Sequence, residues 1–440
     1  MRALPQLMRK LWFDRLSLLG DAAREYGDAV RFRMGPKTLY YFNHPDYAKH
    51  VLADNAANYR KGMGLTEARR LLGDGSLTSD GDVWRTHRRA IQPLMRREPV
   101  ADLTELIVGE ADALLARLGT RAGGDPVDMV AEMTRLTLGV LGRGVLGTEL
   151  TRFGDLGAAF EAVQDQAMFE MVTLGIFPIW LPLRPHQRFR AALAMLEDVA
   201  FELIDGHQDG GQGAHDDLIG RLASAYDDEA DSALVRTRIR DELLTILLAG
   251  HETTASTLSW MWSLVGANPD VADRMAAEAA DVLGDRAPRQ ADLPRLQYTT
   301  MVLQEAMRLY PPVWALTRRA VGADSIGGHC VPAGADVMVS PYTLHRHPSF
   351  WPDPERFDPE RFDRADTGTV HRYAYIPFGA GPRVCVGSHL GMLEATLVAA
   401  MVARRFGLRP APGLAVKADA MLSLRARGGM PMLVSERVPG

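Results

Sequence analysis

The sequence predicts a mostly helical α+β chain with small β-sheets, and three observations predict it. Residues 236–266 form the longest helical run, and from Leu243 to Ala249 it is apolar on nearly every face, as in a helix buried all round. Residues 388–406 place Leu390, Leu393, Leu397 and Met401 at helical spacing. Strand-like pieces are short and confined to residues 29–42 and 315–340.

Composition fits this class. The chain has 440 residues, 47% hydrophobic and 24% charged, which is ordinary for a globular protein with a large core. A single domain over residues 1–440 is expected, because no stretch reads as a linker. The net charge of −5 gives no reason to expect nucleic acid as a partner. The two cysteines, Cys330 and Cys385, form no Cys-x-x-Cys pair, so a reducing compartment fits better than a disulfide framework. Cys330, in GGHCVPAG, reads as an ordinary packed thiol. Arg9, Lys10, Asp14 and Arg15 break the apolar stretches near the N-terminus, leaving neither a membrane span nor a signal-peptide core. The expectation is a cytoplasmic protein without an integral membrane segment.

Along the chain, AVRFRMGPKTLYYF (29–42) predicts two strands around Gly35-Pro36. Residues 82–97 predict one basic helical segment. Residues 155–206 predict two helices around the Pro-rich connection GIFPIWLPLRP, and 207–216 a Gly-rich solvent loop. The long helix ends near Gly266, before Asn268-Pro269, and another, at 295–310, is stopped by Pro311-Pro312. Residues 341–384 show little regular pattern, and Gly407 stands as the expected C′ residue of the last long helix.

The chemistry concentrates in Phe378-Gly379-Ala380-Gly381-Pro382-Arg383-Val384-Cys385-Val386-Gly387. An aromatic, three glycines, an arginine and a cysteine at this spacing arise by chance at roughly one position in ten million. The glycines allow a sharp turn and close backbone approach. Backbone N–H groups and the positive end of the helix that follows can stabilise a thiolate at Cys385.

On these residues the chain resembles the cytochrome P450 family, over nearly its whole length. The resemblance implies the P450 fold, with haem b between the long central helix and the Cys-ligand loop and helix. It implies Cys385 as the axial ligand of the haem iron, whose thiolate favours O–O cleavage. Phe378, Gly379 and Gly387 fall among the cofactor-binding positions, and Arg383 reaches a propionate. Trp84 and Arg88 match a Trp-x-x-x-Arg propionate site, and Arg318 aligns with a second, with Arg319 as the neighbouring alternative. Glu305 and Arg308 match the Glu-x-x-Arg helix, joined by Arg361 in a structural network. Ala249-Gly250-His251-Glu252-Thr253-Thr254 matches the oxygen-binding pattern, with Gly250 leaving room for O2, Glu252 and Thr253 relaying protons, and His251 a polar neighbour.

The implied activity is insertion of one oxygen atom from O2 into a hydrophobic small molecule, terpenoid, steroid-like or polyketide. A P450-fold peroxygenase or isomerase, or a non-catalytic haem sensor, is the alternative. No GxGxxG opens a βαβ unit. Electrons are therefore expected from a separate ferredoxin or flavodoxin and its NAD(P)H reductase, facing Arg85, Arg89, Arg96 and Arg97, with the chain a monomer. The resemblance lines the substrate pocket with residues 61–79, 165–185, Leu247–Ala249, Pro312–Leu316 and Leu422–Leu424. These include Met63, Met168, Phe169, Met171, Phe177, Trp180 and Trp314, and no charged anchor.

Overall fold

The computed structural model describes residues 9–34, 37–153, 155–173, 176–209, 217–363, 371–413 and 416–437. The expected Gly35-Pro36 turn and most of the 207–216 loop lie outside the described residues. Helices dominate, and the sheets are small. Among the described residues no helix is long and apolar enough to cross a membrane.

The central helix spans Ser232–Ala267. It starts where Asp231 accepts the N–H groups of Ala233 and Leu234, at 3.0 and 3.1 Å. It ends at Asn268, because Pro269 opens the next helix. Residues 241–248 are all buried, and helices Met129–Val145, Arg184–Asp209, Gln297–Leu309 and Ser388–Arg405 pack around this rod. The expected pair of helices in 155–206 is present as Leu156–Val172 and Arg184–Asp209.

The largest sheet has five strands, in the order Ala29–Met34, Lys37–Phe42, Asp336–Val339, Leu316–Ala320, Tyr59–Lys61. Lys37–Phe42 and Asp336–Val339 run parallel, and the other pairs are antiparallel. The last pairing sets Lys61 opposite Arg318. A hairpin of Lys417–Ala420 and Leu424–Arg427 stands apart from this sheet.

Two local expectations are corrected, for the basic segment and for Cys330. The basic segment 82–97 is not one helix: Gly81–Ile91 ends two residues before Pro93, and a short helix follows at Arg97–Ala101. Gly407 does stand at C′, one past the C-cap Phe406, and the chain there runs straight on into strand Phe406–Pro410, where a Cβ on residue 407 would stand 2.9 Å from the Ser435 hydroxyl. Cys330 is exposed rather than packed, since its hairpin turns Ile326 and Val331 inward and leaves residue 330 outside.

Two features fix the segment that leads to Cys385. Glu305 and Arg308 are fully buried on helix Gln297–Leu309 and pair bidentately at 2.7 and 2.8 Å. The remaining Arg308 donors reach the carbonyls of His345, Pro354 and Arg356 at 2.9, 2.7 and 3.1 Å. Arg361 stands 3.6 Å from Glu305, and the Asp358 N–H donates to Glu305 at 2.9 Å. Burial pushes the Glu305 carboxyl up against the opposing pull of Arg308. Burial, followed by the charges of Arg308 and Arg346, depresses His345 to about 3, so this ring is neutral and its Nε2 accepts the Ile376 N–H at 2.8 Å. The second feature is the glycine pair in the cysteine loop, Gly379 at φ +72° and Gly381 at φ +69°. A Cβ on Gly381 would stand 1.8 Å from the Leu52 carbonyl oxygen, whereas one on Gly379 meets nothing within 4 Å.

Truncating Arg308 to Ala removes the bidentate partner of Glu305, leaving it only the Asp358 N–H and the more distant Arg361, and takes a donor from three carbonyls in the interior. Breaking a buried pair by one partner costs about 3–5 kcal/mol, so Arg308→Ala should yield little folded protein, read as soluble yield and melting temperature. Gly381→Ala should destabilise clearly more than Gly379→Ala, because only the first adds a backbone collision to a left-handed strain of about 1–3 kcal/mol; comparative thermal melts check the order.

Candidate active site

A cavity of about 1140 Å³ lies along the central helix. Its walls are mainly apolar: Met63, Leu77, Ile91, Met95, Met168, Met171, Ile246, Leu248, Val313, Trp314 and Leu390 all line it. Cys385 opens onto it, flanked by Phe378, Gly379, Val386 and Gly387. The Cys385 N–H donates to the Phe378 carbonyl at 2.9 Å, closing the loop, and helix Ser388–Arg405 begins three residues on. Burial pushes the Cys385 thiol up, opposed by a hydrogen bond from the Gly387 N–H and by the charge of Arg88. An anionic sulfur at this place therefore has a donor, a helix N-terminus and a cation already aimed at it.

One corner of the cavity carries surplus positive charge. Lys61, Arg318 and Arg383 all line it. Arg383 donates to Asp80 at 2.6 Å and to the Ser79 carbonyl at 2.9 Å, and its guanidinium lies 4.0 Å over the Trp84 ring. Burial, then the charge of Arg383, lowers Arg318 to about 10. Burial, then the charges of Arg318 and Arg383, holds Lys61 well below the usual ammonium range, with Asp80 opposing. Three cations against one carboxylate call for further negative charge, and a macrocycle bearing two carboxylates fits that demand. Arg319 points elsewhere, held by Asp336 at 2.9 and 3.1 Å. Arg88 donates to the Val384 carbonyl at 2.8 Å, beside Cys385, and neither it nor Trp84 lines the cavity.

On the central helix, Ala249, Gly250, Glu252, Thr253 and Thr254 face the cavity. The Thr253 hydroxyl donates to the Ala249 carbonyl at 2.9 Å, one turn back, which leaves its lone pairs free to accept. Glu252 Oε1 accepts from Gln164 Nε2 and from Ser423 Oγ, each at 2.6 Å. His251 turns away and packs its ring against Phe160 at 5.2 Å. Gly250 borders the cavity, and a Cβ there would stand 2.8 Å from the end of the Leu141 side chain, which lines the same cavity.

Most pocket segments expected from sequence line the cavity, with exceptions. Phe169, Phe177 and Trp180 do not: Phe177 and Trp180 are 45% and 71% exposed, and Phe169 packs against the rings of Phe177 and His186. Leu247 and Leu424 are fully buried in the core instead. A charged residue is present where none was expected: Arg15 lines the cavity with Leu11, Leu18 and Leu19. Its donors are engaged by the carbonyls of Leu11, Trp12 and Ala420, at 2.8–3.0 Å. Sequence reasoning did not single out Lys61, Gln164, Ser423 or Glu394. Glu394 lines the cavity, is 2% exposed and has Oε1 unpartnered among the described residues, and burial holds its carboxyl well above the usual range. Gln164 and Glu394 did carry a signal, each being a polar residue on an otherwise apolar helix face.

Comparison with known proteins agrees with this geometry. The sequence profile described as cytochrome P450 matches residues 2–425. Cyclooctatin synthase of Streptomyces melanosporofaciens is 37% identical, covering 94% of this chain and 89% of the relative. Cyclooctat-9-en-7-ol 5-monooxygenase of the same organism is 36% identical, covering 92% and 87%. Pentalenene oxygenase of Streptomyces avermitilis is 29% identical, covering 94% and 92%. A cysteine at the head of a long helix, a cavity beside it and a match along nearly the whole sequence have one reading: this chain belongs to the cytochrome P450 family, haem-thiolate monooxygenases that use O2 and electrons from redox partners on small molecules.

Proposed function

We propose that the chain hydroxylates a terpenoid-type small molecule, holding haem b through Cys385 and drawing electrons from a ferredoxin or flavodoxin with its NAD(P)H reductase. The observation that carries this reading is the Cys385 thiol opening into the same apolar cavity as the cationic corner. The named relatives favour terpenoid-type substrates over steroid-like or polyketide ones. An apolar wall with few polar groups suits such a molecule.

When bound, the haem supplies O2 activation and oxygen insertion. The chain's own residues hold it and manage protons. Cys385 binds as thiolate, stabilised by the Gly387 N–H, the Arg88 charge and the helix N-terminus. Phe378, Gly379 and Gly387, which line the cavity beside Cys385, would help hold the haem, and Arg318 and Arg383, with Lys61, would take its propionates. Trp84 supports Arg383 from below, and Arg88 braces the Val384 carbonyl. Arg319, occupied by Asp336, is left out of this set. Glu305, Arg308 and Arg361 do no chemistry. Glu252 collects protons from water, and the Thr253 hydroxyl, which both donates and accepts, passes them on. Arg85, Arg89, Arg96 and Arg97 are exposed on and just after helix Gly81–Ile91, where an acidic electron donor can meet them.

The ligand assignment predicts that the reduced protein with carbon monoxide shows a strongly red-shifted Soret band. Cys385→Ala should lose that band and Cys330→Ala should keep it; a normal band in Cys385→Ala would refute the assignment. The relay assignment predicts that Thr253→Ala keeps haem and substrate binding while NAD(P)H oxidation shifts from product to peroxide. Product formation should fall by up to about 10²–10⁴-fold, the usual range for losing a positioned acid–base group. Thr254→Ala, on the side facing Gly391 of the ligand helix, should change less; equal coupling in both variants would move the relay elsewhere.

A further inference from the structure

Glu252 is gripped from two sides of the cavity. Gln164 comes from helix Leu156–Val172, and Ser423 from the turn between strands Lys417–Ala420 and Leu424–Arg427. Both donate to the same oxygen, Glu252 Oε1, at 2.6 Å. The two are also joined to each other, since the Ser423 N–H donates to Gln164 Oε1 at 3.3 Å. Gln164 is 2% and Ser423 5% exposed, so these bonds sit where water competes little. The turn itself is anchored: Ser256 Oγ donates to the Leu424 carbonyl at 2.6 Å, and the Leu424 N–H donates to the Pro312 carbonyl at 2.7 Å.

Both partners of Glu252 are neutral. They orient the carboxylate without pairing it with an opposite charge, as an arginine would. With both bonds on Oε1, among the described residues no hydrogen bond reaches Oε2, and the residue lines the cavity. We infer that Gln164 and Ser423 are positioning residues that hold the Glu252 carboxylate at the cavity wall in the orientation from which it carries protons. Helix Leu156–Val172 also contributes Met168 and Met171 to the cavity, and the hairpin turn contributes Met421 and Leu422. The side chains that shape the substrate space and those that aim the acid therefore sit on the same two elements. A substrate that displaces either wall also disturbs proton supply. No redox step is added: one proton is accepted from water at Glu252 and one is released to the Thr253 hydroxyl.

The inference rests on the reading of Glu252 as proton carrier, and the test separates the two. Haem-loaded Gln164→Leu, Ser423→Ala, Ser423→Thr and Glu252→Gln would be compared with the parent, using surrogate redox partners and a lipophilic compound that shifts the Soret band. Four quantities are read: the midpoint of that shift, NAD(P)H consumption, the ratio of product to peroxide, and melting temperature. Gln164→Leu and Ser423→Ala should leave the binding midpoint within about twofold while product per NAD(P)H falls about tenfold, the scale of one hydrogen bond to a charged group. Ser423→Thr, which keeps the hydroxyl, should restore coupling. In the Glu252→Gln background, Gln164→Leu should add no further loss. If product falls only in step with weaker binding or a lower melting temperature, at unchanged coupling, the two residues are merely wall and the inference is overturned. If Glu252→Gln uncouples while neither single variant does, the inference fails and the proton-carrier reading survives. If Glu252→Gln itself leaves coupling intact, both fail together. Should Gln164→Leu not load haem, Ser423→Ala and its threonine partner carry the comparison alone.

Discussion

The buried Arg308 side chain is the constraint on which the site depends. Between strand Asp336–Val339 and helix Ser388–Arg405 the described chain has only single turns of helix, so its backbone groups lack the partners that regular structure would give. Arg308 supplies donors to three of those carbonyls from one fixed planar fork, while Glu305 neutralises its charge and takes the Asp358 N–H. The same hub reaches forward. His345, whose carbonyl it holds, accepts the Ile376 N–H two residues before Phe378, and Trp351 donates to the Ala374 carbonyl at 3.2 Å. The position of the cysteine loop is thus inherited from a helix that ends more than seventy residues earlier in sequence.

The cavity divides its chemistry by place. Its cationic corner is assembled across a strand pair and a loop, with Lys61 opposite Arg318 in register and Arg383 arriving from the cysteine loop. Burial first, and then the repulsion of like charges gathered in one space, makes Arg318 and Lys61 both hold their protons less tightly than usual. An anionic group bound there relieves that repulsion, so cofactor uptake and stability of this corner are thermodynamically linked. On the central helix the polar groups are few and neutral apart from Glu252, and most of the remaining wall is hydrocarbon, interrupted by Arg15 and Glu394.

Much of this was legible in the sequence, for reasons that are local. Asn268-Pro269 marks the end of the central helix because proline stops act within a few residues, whereas the start lies at the Asp231 cap, ahead of the expected run from residue 236. The loop 378–387 was legible because its two left-handed glycines and its cysteine admit few other uses. What escaped was decided at long range. The Gln164–Ser423 link joins residues 259 apart, and no spacing rule reports it. Cys330 lies outside because of which face its hairpin turns inward.

The hairpin at 417–427 fastens the two ends of the chain together. Arg15 donates to the Ala420 carbonyl across 405 residues, Trp314 Nε1 to the Met421 carbonyl across 107, and Ser256 to the Leu424 carbonyl across 168. A polypeptide emerges from the ribosome starting at its N-terminus, so none of these clasps can close until residues beyond 420 have been made. Until then the side of the cavity that Met421, Leu422 and Ser423 line stays open, so a stalled or truncated product ending short of this hairpin would leave apolar cavity wall in water.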